Sequence, residues 1–182
     1  MSMWASKTHP FSDEQWNVAR NTMMFAVRNN PTNTQYYFDL ARLYEWKANQ
    51  YSVWEQNAID NRAQAIQWYK KSLQHRQTWS SAWVNLALSK TLNMTFDDEV
   101  TTALSNTIKY GVWEKNVLQK LLWISISNWE RLPLTLQDKV KPLIRQSIHK
   151  GNLPDYIRVI ATVFKWQDTL EDIINSQGKI KY

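Results

Sequence analysis

The sequence predicts an all-α protein built from antiparallel helix pairs, and three observations carry that expectation. Only three Gly and five Pro interrupt 182 residues rich in Leu, Ala and Gln, which favours helices joined by short turns over strands. Helix stops are marked by Gly111 after ALSNTIKY, Gly151 after LIRQSIHK and Gly178 after LEDIINSQ, each where a left-handed residue ends a helix. Helix starts are marked by Ser12-x-x-Gln15, Thr32-x-x-Gln35 and Ser52-x-x-Glu55, which fit the capping box, and by the acidic variant Thr95-x-x-Asp98.

In chain order, residues 1–11 read as a flexible N-terminal tail and 12–182 as a single domain. Its helices are expected at 12–30, 33–49, 53–77 and 80–92. A further helix at 96–110 opens on the acids Asp97, Asp98 and Glu99, which complement the positive end of its dipole, and stops at Gly111 behind Lys109. Helices at 113–130 and 135–150 follow; Pro142 lies inside the latter, so it is kinked or begins later. Pro154 suits the first turn of a last segment at 154–176, one helix or two shorter ones. That gives about eight helices.

The composition excludes several chemistries. There is no Cys, hence no disulfide, thiolate nucleophile or zinc–thiolate site. With the glycines used as stops, none remains for a phosphate-cradling loop. His9, His75 and His149 are far apart and in no metal-ligand spacing, and no G-x-S-x-G elbow occurs. Asp97, Asp98 and Glu99 are adjacent and point in different directions on a helix, so capping explains them better than chelation. The sequence nominates no catalytic residue, metal or cofactor. The charge of +6 permits an anionic partner, but no basic run exceeds two residues. No stretch reaches the ~20 apolar residues of a membrane span. MSMWASKTHPF has no apolar signal core, and its Met-Ser-Met opening looks engineered, so that a native leader or anchor could have been removed.

The helices recur in a register. Ala19, Met23, Ala26 and Pro31 precede Tyr37-x-x-Leu40-Ala41-x-x-Tyr44; Ala65, Tyr69, Ser72 and Gln77 precede Trp83-x-x-Leu86-Ala87. Over residues 16–90 this spacing resembles the tetratricopeptide repeat, whose small residues let antiparallel helices approach while rings fill the gaps between pairs. The resemblance implies a right-handed superhelical stack with a concave binding face. Tyr44 to Ala65 spans twenty-one residues, about twelve more than the repeat allows. The Ser52 box suggests that much of the excess lengthens the second helix, by roughly 18 Å. Lys90 stands where the repeat expects tyrosine, and beyond it the register fades.

AxxWVNLALSK followed by FDDEVTTALSNTIKYGVWEKNVLQKLLWISISNWERL also resembles the VpsP-type polysaccharide-biosynthesis proteins of bacteria, over about residues 14–152. Shared features are a Trp-bearing helix, a Phe-Asp start, a Gly-x-Trp turn and a helix ending in Trp, here Trp129. The resemblance implies a non-catalytic scaffold on the periplasmic side of the inner membrane, serving polysaccharide synthesis or export. A cytoplasmic adaptor is the alternative.

Carrying the repeat register over, the concave face receives Gln35, Phe38, Arg42, Glu45 and Trp46 from one helix and Ser81, Val84, Leu88 and Leu92 from the next. A ring, an Arg and aliphatics suit a peptide or helix of a protein partner. Another part of the chain can equally cover that face. Tyr51 and Trp54 in the extension are a second candidate contact, or they bury against a neighbouring helix. Exposed Trp46, Trp54 or Trp79 would suit glycan stacking, and the basic charge an anionic membrane surface. The basic-aromatic run WYKKSLQHRQTWSSAW at 68–83 superficially suits nucleic acid. In the repeat register it becomes a joint: Tyr69, Ser72 and Leu73 pack inward, Gln77 marks the turn, and Ser80 or Ser81 caps the next helix. Nucleic acid is thereby disfavoured, and Trp68 and Trp79 are left unassigned.

Overall fold

In the computed structural model, which describes residues 12–149 and 154–176, every regular element among those residues is helical. The helices are α1 (Asp13–Asn29), α2 (Thr34–Ala48), α3 (Gln56–His75), α4 (Ser80–Leu92) and α5 (Asp98–Tyr110). They continue as α6 (Lys115–Ser127), a single 3₁₀ turn at Trp129–Arg131, α7 (Leu134–His149), α8 (Pro154–Val163) and α9 (Gln167–Asn175). The tail at 1–11 and the stops at Gly151 and Gly178 lie outside the described residues.

Packing follows the pairs. α2 lies on α3, α4 on α5, α6 on α7 and α8 on α9, and α3 also contacts α4. Successive first helices α4, α6 and α8 touch, as do the second helices α5, α7 and α9, giving a two-layer stack. α1 rests on α2. The register residues make this possible: Tyr37, Leu40, Ala41, Ala65, Tyr69, Ser72, Leu86 and Ala87 are all buried. Each Leu contributes about 1.5–3 kcal/mol by leaving water, while each Ala keeps two backbones close.

The helix ends show where local signals compete. Ser12 forms the full expected capping box with Gln15. At α2 the cap is Asn33, not Thr32: the Asn33 side-chain oxygen accepts the Gln35 N–H at 3.0 Å, while the Thr32 hydroxyl donates to Asn30. Asp97, not Thr95, caps α5 by accepting the Val100 N–H at 3.1 Å. The Ser52 box is half made. The Ser52 N–H reaches the Glu55 carboxylate at 2.8 Å, but α3 begins only at Gln56, so the excess residues are divided between a loop at 49–55 and a 20-residue helix. Neither Ser80 nor Ser81 caps α4; the cap position is Trp79, which gives no side-chain hydrogen bond.

Helix stops depart from the glycine rule. Gly111 has φ 153° and ψ 110°, an open conformation rather than the left-handed helical one, and a Cβ there would meet the Trp113 ring at 2.5 Å. The left-handed closures fall instead on Met94 (φ 58°) and Lys165 (φ 52°). After α4, Thr95 N–H bonds Lys90 C=O and Met94 N–H bonds Thr91 C=O; after α8, Trp166 bonds Ala161 and Lys165 bonds Thr162. Both are Schellman closures carried by non-glycine residues, at a cost of about 1–2 kcal/mol each. The second divides the expected 154–176 segment into α8 and α9, with Trp166 buried against the core as the reward. α7 runs through Pro142, forgoing one backbone bond to Asp138. No helix among the described residues is long and apolar enough to cross a membrane.

Candidate functional site

The joint at 68–83 uses its rings internally. Trp79 stacks on Phe38 at 4.3 Å, and Phe38 in turn meets Tyr69 edge-on at 5.6 Å. Trp68 stacks on Tyr37 at 6.2 Å, and His75 lies on Tyr37 at 5.8 Å. The cations of the run cover those rings: Lys71 sits 4.4 Å over Trp68 and Arg76 4.7 Å over Trp79. Trp83 donates its indole N–H to the Gln77 carbonyl at 2.7 Å, fixing the turn. Rings and charges that suggested a binding strip are therefore spent between two helix pairs.

From that joint a polar network runs across the first helices. Glu45 of α2 accepts the Tyr69 hydroxyl at 2.7 Å on one carboxylate oxygen and the Ser89 hydroxyl at 2.7 Å on the other, tying α2 to α3 and α4. Tyr69 is fully buried; burial, reinforced by the Glu45 charge, holds its phenol well above the usual range, so it acts as a donor. Further along, Lys120 of α6 donates to the Asn85 side-chain oxygen of α4. Among the described residues no carboxylate lies within ion-pair distance of Lys120. Burial lowers its pKa, the Glu45 charge partly opposes this, and the Arg42 charge adds to it. Arg42, Glu45 and Lys120 thus share one electrostatic neighbourhood carrying a net positive charge, with Arg42 exposed at its rim.

Lys90 and Arg62, both buried, are handled differently from half-buried Lys120. Lys90 of α4 is bracketed by Asp97 at 2.7 Å and by Glu99, and Glu99 also takes Lys70 of α3 at 2.9 Å. Burial opposes the charged form of Lys90, but its hydrogen bonds to the two carboxylates outweigh this and raise its pKa. Asp97 and Glu99 are held below their ordinary values by Lys90 and Lys70 against the opposing effect of burial. Arg62 of α3, 3% exposed, has no acid partner among the described residues; its guanidinium donates to the Val53 carbonyl and the Asn93 side chain.

The predicted contacts are distributed unevenly. Gln35 and Arg42 are exposed, with Gln35 donating to Asp39, and Glu45, Trp46 and Leu88 are half-buried. Phe38, 7% exposed, and Val84 are buried, so neither offers a side chain to a partner; the ring packing described above took Phe38, and Val84 faces the core. In the loop, Tyr51 is half-buried beneath the Lys47 ammonium at 5.7 Å, whereas Trp54 is 68% exposed. Trp79 is half-buried. Sequence reading missed Asn85, Ser89 and Lys120. Lys120 lies on the helical face of Val117, Leu121 and Ile124, all buried, which is the signal that would have found it. Among the described residues no group of three His, Asp or Glu converges to hold a metal ion. Comparison of the chain with protein-family models, with curated proteins and with solved structures gives no match in any of the three.

Proposed function

We propose that the chain is a non-catalytic helical-repeat scaffold that receives a segment of a partner protein on the face formed by α2, α4 and α6. The observation that supports this most directly is the Arg42–Glu45–Lys120 neighbourhood. A desolvated ammonium held by one amide oxygen and no carboxylate is under-compensated, and an acidic group on a docked segment supplies what it lacks. Half-buried Trp46 and Leu88 provide apolar contact beside it. The sequence resemblance supports placing this scaffold in a bacterial envelope polysaccharide assembly, on the periplasmic side of the inner membrane.

The test is recovery of a binding partner from the native host by the wild-type chain and by Arg42→Ala, Trp46→Ala and Lys120→Met variants. A surface variant, Lys139→Ala, serves as control. The reading expects one protein to be recovered by wild type and control and lost with the three face variants. Equal recovery by all would remove the α2–α4–α6 face as the docking site. Fractionation of the host cell separates the periplasmic reading from a cytoplasmic adaptor.

A further inference from the structure

The outer face of α1 carries a second surface. α1 stands outside the four helix pairs and rests on α2. Its inner face is taken up there: Trp16 and Val27 are buried, and Trp16 meets Tyr44 edge-on at 5.6 Å. The opposite face is a stripe of Glu14, Val18, Asn21, Phe25 and Arg28, all exposed, with Val18 at 62% and Phe25 at 68%. Their spacing of four, three, four and three is that of a coiled-coil seam. An open cleft of about 490 Å³ runs beside the stripe, lined by Arg20, Asn21, Met24, Phe25, Arg28 and Tyr44.

The stripe is neutral, and it is symmetric about its centre. Glu14 and Arg28 lie seven residues to either side of Asn21, with Val18 three residues before it and Phe25 four after. Among the described residues neither Glu14 nor Arg28 has an ion-pair partner. The other charges of α1 and of the adjoining end of α2 are engaged elsewhere. Asp13 pairs with Lys47, and Arg20 lies 4.9 Å over the Trp16 ring while donating to the Asn21 side-chain oxygen at 3.3 Å. The Asn21 side-chain NH₂ donates to no group among the described residues.

We propose that α1 pairs antiparallel with α1 of a second copy of this chain, about a twofold axis at Asn21. Reversing the stripe sets each Glu14 opposite the Arg28 of the other copy and each Val18 opposite its Phe25, beside the cleft. The two Asn21 side chains meet on the axis and fix the register. Charge selects this occupant. A wholly acidic or wholly basic segment would satisfy one end of the stripe and oppose the other, and an anionic lipid surface would face Glu14. The complement of the stripe, read backwards, is the stripe itself. About 22 Å of helix makes a contact below about 1,200 Å², so the association is weak and reversible. The surface is separate from the α2–α4–α6 face and does not depend on that reading.

The test is sedimentation equilibrium of the full chain from micromolar to millimolar concentration, over which wild type passes from monomer to dimer. Val18→Ser with Phe25→Ser weakens dimerisation by about tenfold or more. Glu14→Arg and Arg28→Glu, each alone, set like charges against one another at both ends and weaken it by about tenfold. Mixing those two variants restores association, because one copy then carries Arg at both ends and the other Glu. Misfolding is not rescued by mixing, so this arm separates docking from stability. Arg42→Ala with Lys120→Met leaves dimerisation unchanged. A wild-type chain that stays monomeric throughout overturns the proposal. So does a dimer indifferent to the Val18 and Phe25 changes, or to the single charge changes. A mixture of the charge variants that associates no better than either alone overturns it too.

Discussion

Lys90 and Lys120 are both drawn into the stack from first helices, yet they meet opposite environments. At the α4–α5 turn, the first residues of the following helix fold back as Asp97 and Glu99 and neutralise Lys90 within seven to nine residues of sequence. On the α2–α4–α6 face, Lys120 depends on Asn85, thirty-five residues away, and on the more remote Glu45 charge. The first pairing is local and complete; the second is long-range and short of one negative charge. A buried cation is costly unless a counter-charge is held against it, and where none is held the deficit is available to a partner.

Arg62 offers the most severe way to break this comparison, because it is a buried cation with two neutral acceptors and, among the described residues, no acid. Arg62→Ala leaves the Val53 carbonyl and the Asn93 side chain without their donor and is expected to cost about 2–4 kcal/mol in urea unfolding. Lys90→Met comes next, at about 1–2 kcal/mol, since Asp97 is half-exposed and Glu99 keeps Lys70. Lys120→Met should have the opposite sign, neutral to about 1 kcal/mol stabilising, because it removes a desolvated charge and leaves only the Asn85 oxygen to be satisfied. Destabilisation as large as that of Lys90→Met would show that the Lys120 site is complete without a partner.

The pH dependence sharpens the same contrast. Lys90 is raised in the folded state, so its stabilisation is fully present below its unfolded pKa of 10.5 and is lost as pH rises above that. Lys120 is lowered, so its penalty applies at lower pH and is relieved as pH climbs toward 10.5. Asp97 and Glu99 are lowered, so their stabilisation holds above their unfolded values of 3.8 and 4.5 and fades as pH falls through the folded ones. Chemical unfolding from pH 3 to 11 should show a shallower acid limb in Lys90→Met than in wild type, and in Lys120→Met a loss of the rise below 10.5. Parallel curves for the two variants would contradict the assignment.

Much of the architecture was legible in the residues because its causes are local. The Ser12 box, the small-residue register of Ala41, Ala65 and Ala87, and the acids opening α5 act over a turn or two of helix, and the structure carries each of them. Neighbouring signals were misread where several caps competed within three residues: Asn33 displaced Thr32, Asp97 displaced Thr95, and Glu55 displaced Ser52. The stops at Met94 and Lys165 were invisible, since neither residue type favours a left-handed backbone; Trp166 burial draws the second into place, and Asn93's bonds to α3 accompany the first.

The candidate site divides along the same line. Arg42 and Glu45 could be singled out from register, because a repeat fixes which positions of a helix face its neighbours, and Trp54 as a ring in the insertion that breaks that register. Whether a side chain so placed is free or covered depends on residues far away in sequence. Phe38 was taken by Trp79, forty-one positions on, and Lys120 entered the network through Asn85. The sequence by itself determined the helices, their pairing and their net charge, since periodicity, caps and composition act through short-range backbone and solvation terms. The tertiary structure alone decided which rings were spent on packing and which cations lacked an acid, because burial and Coulomb interaction depend on distances that only the packed stack sets.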